Sequence, residues 1–386
     1  MIPLSPLDHV FTGTGAYPLE FVFAYAQPID AQRLADSLRA TLALFPAVSS
    51  RLVRQHGAWA LEPTPEGCRF ETAESGQGFA EVPSRTAFVS PVETLEGEPL
   101  ARVRLTRTPQ GSVLGVSLSH ATVDGFSYFY FLSAWSLVFR GEAVPPPCDE
   151  RGQLATATDS LAAGCDADAL LAGAGLFLDA PRRHVPRDRL SWNRRLFPQD
   201  ELRALHAEAQ AECPVRLSHN DVLAAWLWRE HVPRWTRSAE PLAYLSCPVD
   251  VRRVLPGFPG HYFGCAVALA GASLPLDELQ STPLPRLARR VRDAVDAVDA
   301  ARMARALSTL AALGRERGLG GFERVHVAHP RAGLLVTNLS RLPVREIAFD
   351  AGPPVAFDIL APAERCAVVL PATDGLDVRV CEPLPA

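Results

Sequence analysis

Apolar positions along the chain change period several times, and each change marks an element. Leu19 to Tyr25 is a strand-like run. Beyond it Asp30 stands where a helix cap is expected, and Leu34, Leu38, Leu42 and Phe45 recur at helical spacing. One hairpin is predicted from Arg51 to Leu61, turning at His56-Gly57, and another from Ala101 to Ser119, turning near Gln110-Gly111. The return strand of the second, Val113-Leu114-Gly115-Val116-Ser117-Leu118, is apolar enough to be buried. A short polar loop then leads into a strongly apolar helix, Phe126 to Phe139.

From Gly141 to about Asp188 the pattern fades into Pro, Ala, Gly and Asp with one short apolar stretch, as a long crossover reads. Periodicity then resumes. Helices are expected at Gln199–Ala211, from Ser218 onward with Asp221 as a capping-box variant, at Leu284–Val298, and at Ala301–Arg315 with a glycine-rich stop. Strands are expected at Leu242–Val249, Tyr262–Leu269, Leu334–Asn338, Cys366–Leu370 and Leu376–Cys381. The whole predicts an α/β protein of two lobes, each of mixed sheet plus helices. The expected parts are an N-terminal lobe over 1–141, a crossover linker over 142–190 and a C-terminal lobe over 191–386.

Composition narrows the chemistry. The chain has 386 residues, 38 Lys plus Arg against 43 Asp plus Glu, and a formal charge of −5, which is no footprint for nucleic acid. Every one of the cations is arginine. Without a lysine there is no Schiff base, no pyridoxal-phosphate anchor and no P-loop. The eight cysteines are scattered with no C-x-x-C pair, so no metal site is expected. The start reads unlike a signal peptide and the longest apolar run is too short to span a bilayer. A cytoplasmic chain with reduced thiols and no membrane partner is therefore expected.

The candidate chemistry lies in Ser119-His120-Ala121-Thr122-Val123-Asp124-Gly125-Phe126. A histidine at a strand end is held by rigid backbone and titrates near neutrality, which suits a general base. Asp124 could orient His120, or turn away and pair with an arginine; the pattern leaves both open. Gly125 gives backbone room beside His120 as the helix begins.

His-x-x-x-Asp-Gly between an apolar strand and an aromatic helix resembles the chloramphenicol acetyltransferase-like superfamily, and other landmarks resemble its BAHD acyltransferases in family order. These are Leu4-Ser5-Pro6-Leu7-Asp8, the Ser218–Trp226 helix start, Val249-Asp250-Val251-Arg252, Tyr262-Phe263-Gly264, and Val336-Thr337-Asn338-Leu339-Ser340-Arg341-Leu342-Pro343. The chain departs from the family at Asp350-Ala351-Gly352-Pro353-Pro354, where the Asp-Phe-Gly-Trp-Gly box has lost both aromatics. Its compact length resembles a bacterial member.

The resemblance implies direct acyl transfer from a coenzyme A thioester to a hydroxyl, or an amine, of a small specialised metabolite, with no permanently bound cofactor. It implies His120 as base, Thr337 as oxyanion donor with Asn338 as fallback, and Asp124 paired with Arg252. Tyr262, Phe263 and Gly264 would border the donor channel, and Arg341 could contact an anionic acceptor. A monomer is enough for such a site. A condensation-type enzyme fed by an acyl or peptidyl carrier protein stays open, as does a non-catalytic thioester or carrier-protein binder. The arginines at 286, 289, 290 and 292 could meet coenzyme A phosphates or an acidic carrier protein. His326 and His329 read as a solvent-facing pair.

Overall fold

The computed structural model describes residues 1–154, 166–236 and 240–383. It divides into two units. The first takes Met1–Ala155, Pro259–Ala266 and Leu342–Pro362, the second Thr156–Phe258, Val267–Arg341 and Ala363–Ala386. Two segments expected within the C-terminal lobe are thus part of the first unit. The middle of the expected crossover, 155–165, lies outside the described residues.

In the first unit a five-stranded sheet runs in the order Ala356–Ile359, Pro18–Tyr25, Gly111–Ser119, Ala101–Thr108, Cys68–Glu74. The apolar Gly111–Ser119 strand is the central one of the five and is buried throughout. Helix Ala31–Leu44 starts where Asp30 accepts a hydrogen bond from the Arg33 amide. It packs against helix Gly125–Phe139, with the Trp135 indole donating to the Ser37 hydroxyl at 3.0 Å. Aromatic rings from that second helix and the sheet interlock, Phe21 meeting Phe129 edge-on at 5.0 Å. The smaller hairpin Ser50–Gln55 and Ala58–Pro63 turns at His56 (φ 50°) and Gly57 (φ 81°). Two successive left-handed residues match the twist of a tight hairpin.

The late segment joins this unit for two reasons. Ala356–Ile359 pairs antiparallel with Pro18–Tyr25 and completes the sheet edge. Phe349, one residue before the decayed box, packs its ring against Tyr25, Trp135 and Phe139 at 5.9, 5.2 and 5.1 Å. Phe349 thus anchors the segment that leads into the box.

The second unit holds a six-stranded mixed sheet, ordered Val267–Pro275, Leu242–Asp250, Gly333–Asn338, Cys366–Ala372, Gly375–Cys381, Trp192–Phe197. The pairs flanking Gly333–Asn338 are parallel, the others antiparallel. Helices His219–Trp235 and Leu284–Asp296 pack on each other, and Leu223, Trp228, Leu287, Val291, Leu245 and Val336 share one core. The capping box forms as expected, Ser218 Oγ accepting from the Asp221 amide and Asp221 Oδ2 from the Ser218 amide. Helix Ala300–Arg317 ends at Gly318, φ 62°.

Some expectations shift. The strand expected at Tyr262–Leu269 starts only at Val267, because side chains of the first unit hold the preceding residues. The crossover is not bare linker: a short helix, Ala167–Gly173, and the strand Phe177–Leu178 lie within it, with Leu171, Leu176 and Phe177 buried. Strands Cys68–Glu74, Trp192–Phe197 and Ala356–Ile359 were not anticipated; the first two are mostly exposed and polar, with no alternation strong enough to read.

Close packing under the Gly111–Ser119 strand is testable. A Cβ on Gly115 would lie 1.9 Å from the Phe88 carbonyl oxygen, a backbone atom that cannot swing aside, whereas one on Gly57 would meet open space. Gly115→Ala should cost about 3 kcal/mol, the upper end of overpacking. Gly57→Ala should cost about 1 kcal/mol, from its left-handed backbone alone. Urea unfolding midpoints of the two variants would check the order.

Candidate active site

His120 follows the last residue of the Gly111–Ser119 strand, and the turn after it is tied to that strand end. The Ser119 carbonyl accepts from the Thr122 and Val123 amides at 3.0 and 3.3 Å and from the Thr122 hydroxyl at 2.7 Å. Ser119 Oγ bonds Thr94 Oγ1 at 2.8 Å and accepts from the Ala121 amide. The backbone bearing the imidazole therefore has little room to move.

The ring itself is placed by aromatic contacts. Phe11 stacks on it face to face, centroids 3.9 Å apart and planes within 9°, and Tyr17 meets it edge-on at 5.7 Å. Nδ1 is buried and makes no hydrogen bond among the described residues. Burial pulls the His120 pKa below its ordinary 6.5; the residue's own carbonyl and the charges of Asp124 and Asp8 oppose this without prevailing. The imidazole is thus held neutral near pH 7, the form a proton acceptor needs.

Asp124 does not bond Nδ1. It caps helix Gly125–Phe139, Oδ1 accepting from the Ser127 amide at 2.8 Å, while Oδ2 accepts from the Ala266 amide at 2.9 Å. Ser127 Oγ donates to the Gly264 carbonyl and accepts from the Gly264 amide, each at 3.0 Å. The structure so brings His120, Asp124 and Gly125 to the same framework as Tyr262, Phe263 and Gly264. Phe263 is buried against Phe45 at 4.9 Å, and Gly264, at φ 155°, leaves no room for a Cβ beside the Tyr262 ring. Gly125 has ordinary negative-φ backbone.

The remaining expected residues belong to the second unit. Thr337 and Asn338 end the strand Gly333–Asn338, Thr337 half-buried with a hydroxyl that makes no hydrogen bond among the described residues. Asn338 is committed at both ends of its amide: Nδ2 donates to Asn220 Oδ1, and Oδ1 accepts from the Ser340 amide and hydroxyl. Arg252 is buried and donates to Asp250 Oδ1 at 3.0 Å. Arg341 is exposed. Three of the four clustered arginines are engaged locally, Arg289 with Asp293, Arg290 with the Ser273 carbonyl, and Arg292 with Asp221 and Asp296. His326 Nε2 bonds the Ala180 carbonyl and His329 Nδ1 accepts from the Ala332 amide.

A model described as the transferase family matches residues 1–386. The chain belongs to this family, the BAHD-type acyltransferases of the chloramphenicol acetyltransferase-like superfamily. It is 24% identical over 275 residues to a hydroxycinnamoyl-CoA:piscidic acid hydroxycinnamoyltransferase of Actaea racemosa, covering 67% of this chain and 61% of that protein. It is 27% identical over 270 residues to a hydroxycinnamoyl-CoA:5-hydroxyanthranilate N-hydroxycinnamoyltransferase of Avena sativa, covering 62% and 59%. The matches thus span about three-fifths of those relatives' lengths. The fold is similar to TRI101 of F. sporotrichioides complexed with coenzyme A and T-2, at TM-score 0.75 and 18% identity, over 99% of this chain and 95% of that one.

In this BAHD-type chain three residues beside the histidine were missed from sequence. Phe11 and Tyr17 carried no signal, since a lone aromatic before a strand is ordinary. Arg151 sits in a Pro- and acid-rich stretch with no periodicity. Its guanidinium donates to Asp8 Oδ2 at 2.8 Å and to the Ala121 and Thr122 carbonyls at 3.1 and 2.9 Å. Asp8 stood in the recognised opening, and its reciprocal bonds with Ser5 are a capping arrangement that the spacing could have shown.

The neutral imidazole has consequences for pH. In ¹³C-histidine-labelled protein the His120 ring should titrate below 6.5. Phe11→Ala, which admits water to the ring, should raise that value, and Asp124→Asn, which removes a favourable charge, should lower it. Linkage has a definite sign here. The unfolded chain binds this proton more readily, so the His120 contribution to stability is whole above about pH 6.5 and is lost as pH falls through the lower folded value. Melting temperatures of wild type and His120→Gln across that window would show the difference.

Proposed function

We propose that this chain transfers an acyl group from a coenzyme A thioester to a hydroxyl, or an amine, of a small-molecule acceptor, with His120 as general base. The observation that carries the reading is the placement of His120 at the strand end, its face fixed by Phe11 and its Nδ1 buried, so that Nε2 is the nitrogen for proton transfer. The plant relatives are named for hydroxycinnamoyl-CoA and the fungal TRI101 is complexed with coenzyme A, which supports coenzyme A as the donor's carrier.

Nε2 takes the acceptor's proton as its oxygen or nitrogen attacks the thioester carbonyl. The tetrahedral oxyanion then collapses, the carbon–sulfur bond breaks, and the departing thiolate receives the proton from His120. Thr337, whose hydroxyl is uncommitted, is the oxyanion donor in this reading; Asn338, already bonded at both ends, is less suited. Asp124 acts as a structural carboxylate and as the charge partner of Arg252. The local pairing of Arg289, Arg290 and Arg292 weighs against that cluster as the site for either coenzyme A phosphates or an acidic carrier protein. A monomer working in a reducing, cytoplasmic compartment completes the reading.

Thiol release from a panel of acyl-CoA donors, with small alcohols and amines present, tests the reading. His120→Ala should lose about 10²–10⁴-fold in turnover and Thr337→Val about 10²–10³-fold. Turnover that survives His120→Ala would overturn the assignment. Asp124→Ala and Arg252→Ala should each cost about 3–5 kcal/mol of stability. Their double variant should cost less than the sum, a coupling that calorimetry would read.

A further inference from the structure

The side chain of Arg151 is sealed from solvent, as is that of Asp8. Buried charge of this kind is costly unless it is paired and hydrogen-bonded; Arg151 Nε and Asp8 Oδ1 have no hydrogen-bond partner among the described residues, and the remaining atoms carry the pairing. Here one guanidinium nitrogen donates to both Asp8 Oδ2 and the Ala121 carbonyl, and the other donates to the Thr122 carbonyl. Those two carbonyls belong to the first two residues after His120. A planar fork that holds both fixes the peptide planes through which the chain leaves the histidine.

Asp8 is in turn immobilised. Its Oδ2 also accepts from the Ser5 amide at 2.9 Å, and its own amide donates to Ser5 Oγ at 3.1 Å. The short helical turn that begins at Asp8 ends at Phe11, the residue stacked on the imidazole. One rigid N-terminal piece thus meets His120 twice, through Arg151 on its backbone side and through Phe11 on its ring face.

We infer that Arg151 is a positioning residue for His120, aligning the imidazole by clamping the Ala121 and Thr122 carbonyls against a fixed Asp8. The inference rests on the reading of His120 as base. A misplacement of about 1 Å at a catalytic group can cost about 10²-fold in rate, and loss of the fork is a displacement of that kind. Arg151 does not reach the substrate; its effect passes through the loop.

Arg151→Lys keeps the charge beside Asp8 but replaces a rigid fork with a single ammonium. It should lower kcat about 10- to 100-fold per folded molecule, with KM for the acyl-CoA donor within about threefold of wild type. A purely structural role would lower the melting temperature and the yield while leaving kcat per folded molecule unchanged, and that result would overturn the inference. Should Arg151→Lys not fold, the neutral double variant Asp8→Asn/Arg151→Gln leaves no orphaned charge and removes the fork. It should fold and show the same kcat loss; wild-type kcat in that variant would also overturn the inference. His120→Ala measured alongside separates the two questions. If it retains turnover, the base assignment fails; if it is inactive while Arg151→Lys turns over normally, only the role of Arg151 fails.

Discussion

Both oxygens of one buried carboxylate, Asp124, are spent on backbone amides, and much of the first unit depends on that. Capping the helix after the histidine loop satisfies an amide that would otherwise be orphaned, and caps of this kind contribute about 1 kcal/mol. The second oxygen reaches the Ala266 amide, 142 residues on, and draws Pro259–Ala266 into the first unit. Ser127, one turn into the same helix, repeats the tie at Gly264. A loop, a helix start and a remote turn are thus joined by two short side chains.

The same burial that makes these bonds strong controls the histidine. Desolvation disfavours the imidazolium, while Asp124 and Asp8 favour it, and desolvation wins. Had Asp124 faced Nδ1, its charge would have favoured the imidazolium more strongly and opposed desolvation to a greater degree. Turning the carboxylate onto amides keeps its structural value while weakening its pull on the proton. Ring orientation then falls to Phe11 and Tyr17, which exert no comparable charge.

The all-arginine usage has a structural counterpart. Several junctions, buried and exposed alike, use one cation to hold two or three oxygens at fixed angles, which a guanidinium does and an ammonium does poorly. Arg151 bridges a carboxylate and two carbonyls; Arg182 holds the Phe322 and Val325 carbonyls; Arg140 meets Ser136, Glu142 and the Ala348 carbonyl. Each ties segments distant in sequence, and each leaves backbone carbonyls bonded that would otherwise be bare.

What the chain determined by itself was local: the Asp30 and Ser218 caps, the His56-Gly57 turn, the buried strand before His120 and the apolar helix after it. These rest on interactions within a few residues, so the order of residue types is enough to read them. The family landmarks added the order of the parts. The tertiary structure decided the rest. It spent both oxygens of Asp124 on backbone amides, one of which, that of Ala266, can reach it only once the fold has formed. It moved the start of the expected Tyr262 strand to Val267 for the same reason. It placed Phe11 on the imidazole and Arg151 on the loop, pairings that span more than a hundred residues in one case and about thirty in the other. No periodicity records such contacts, since they depend on where rigid elements bring side chains and not on the spacing of those side chains along the chain.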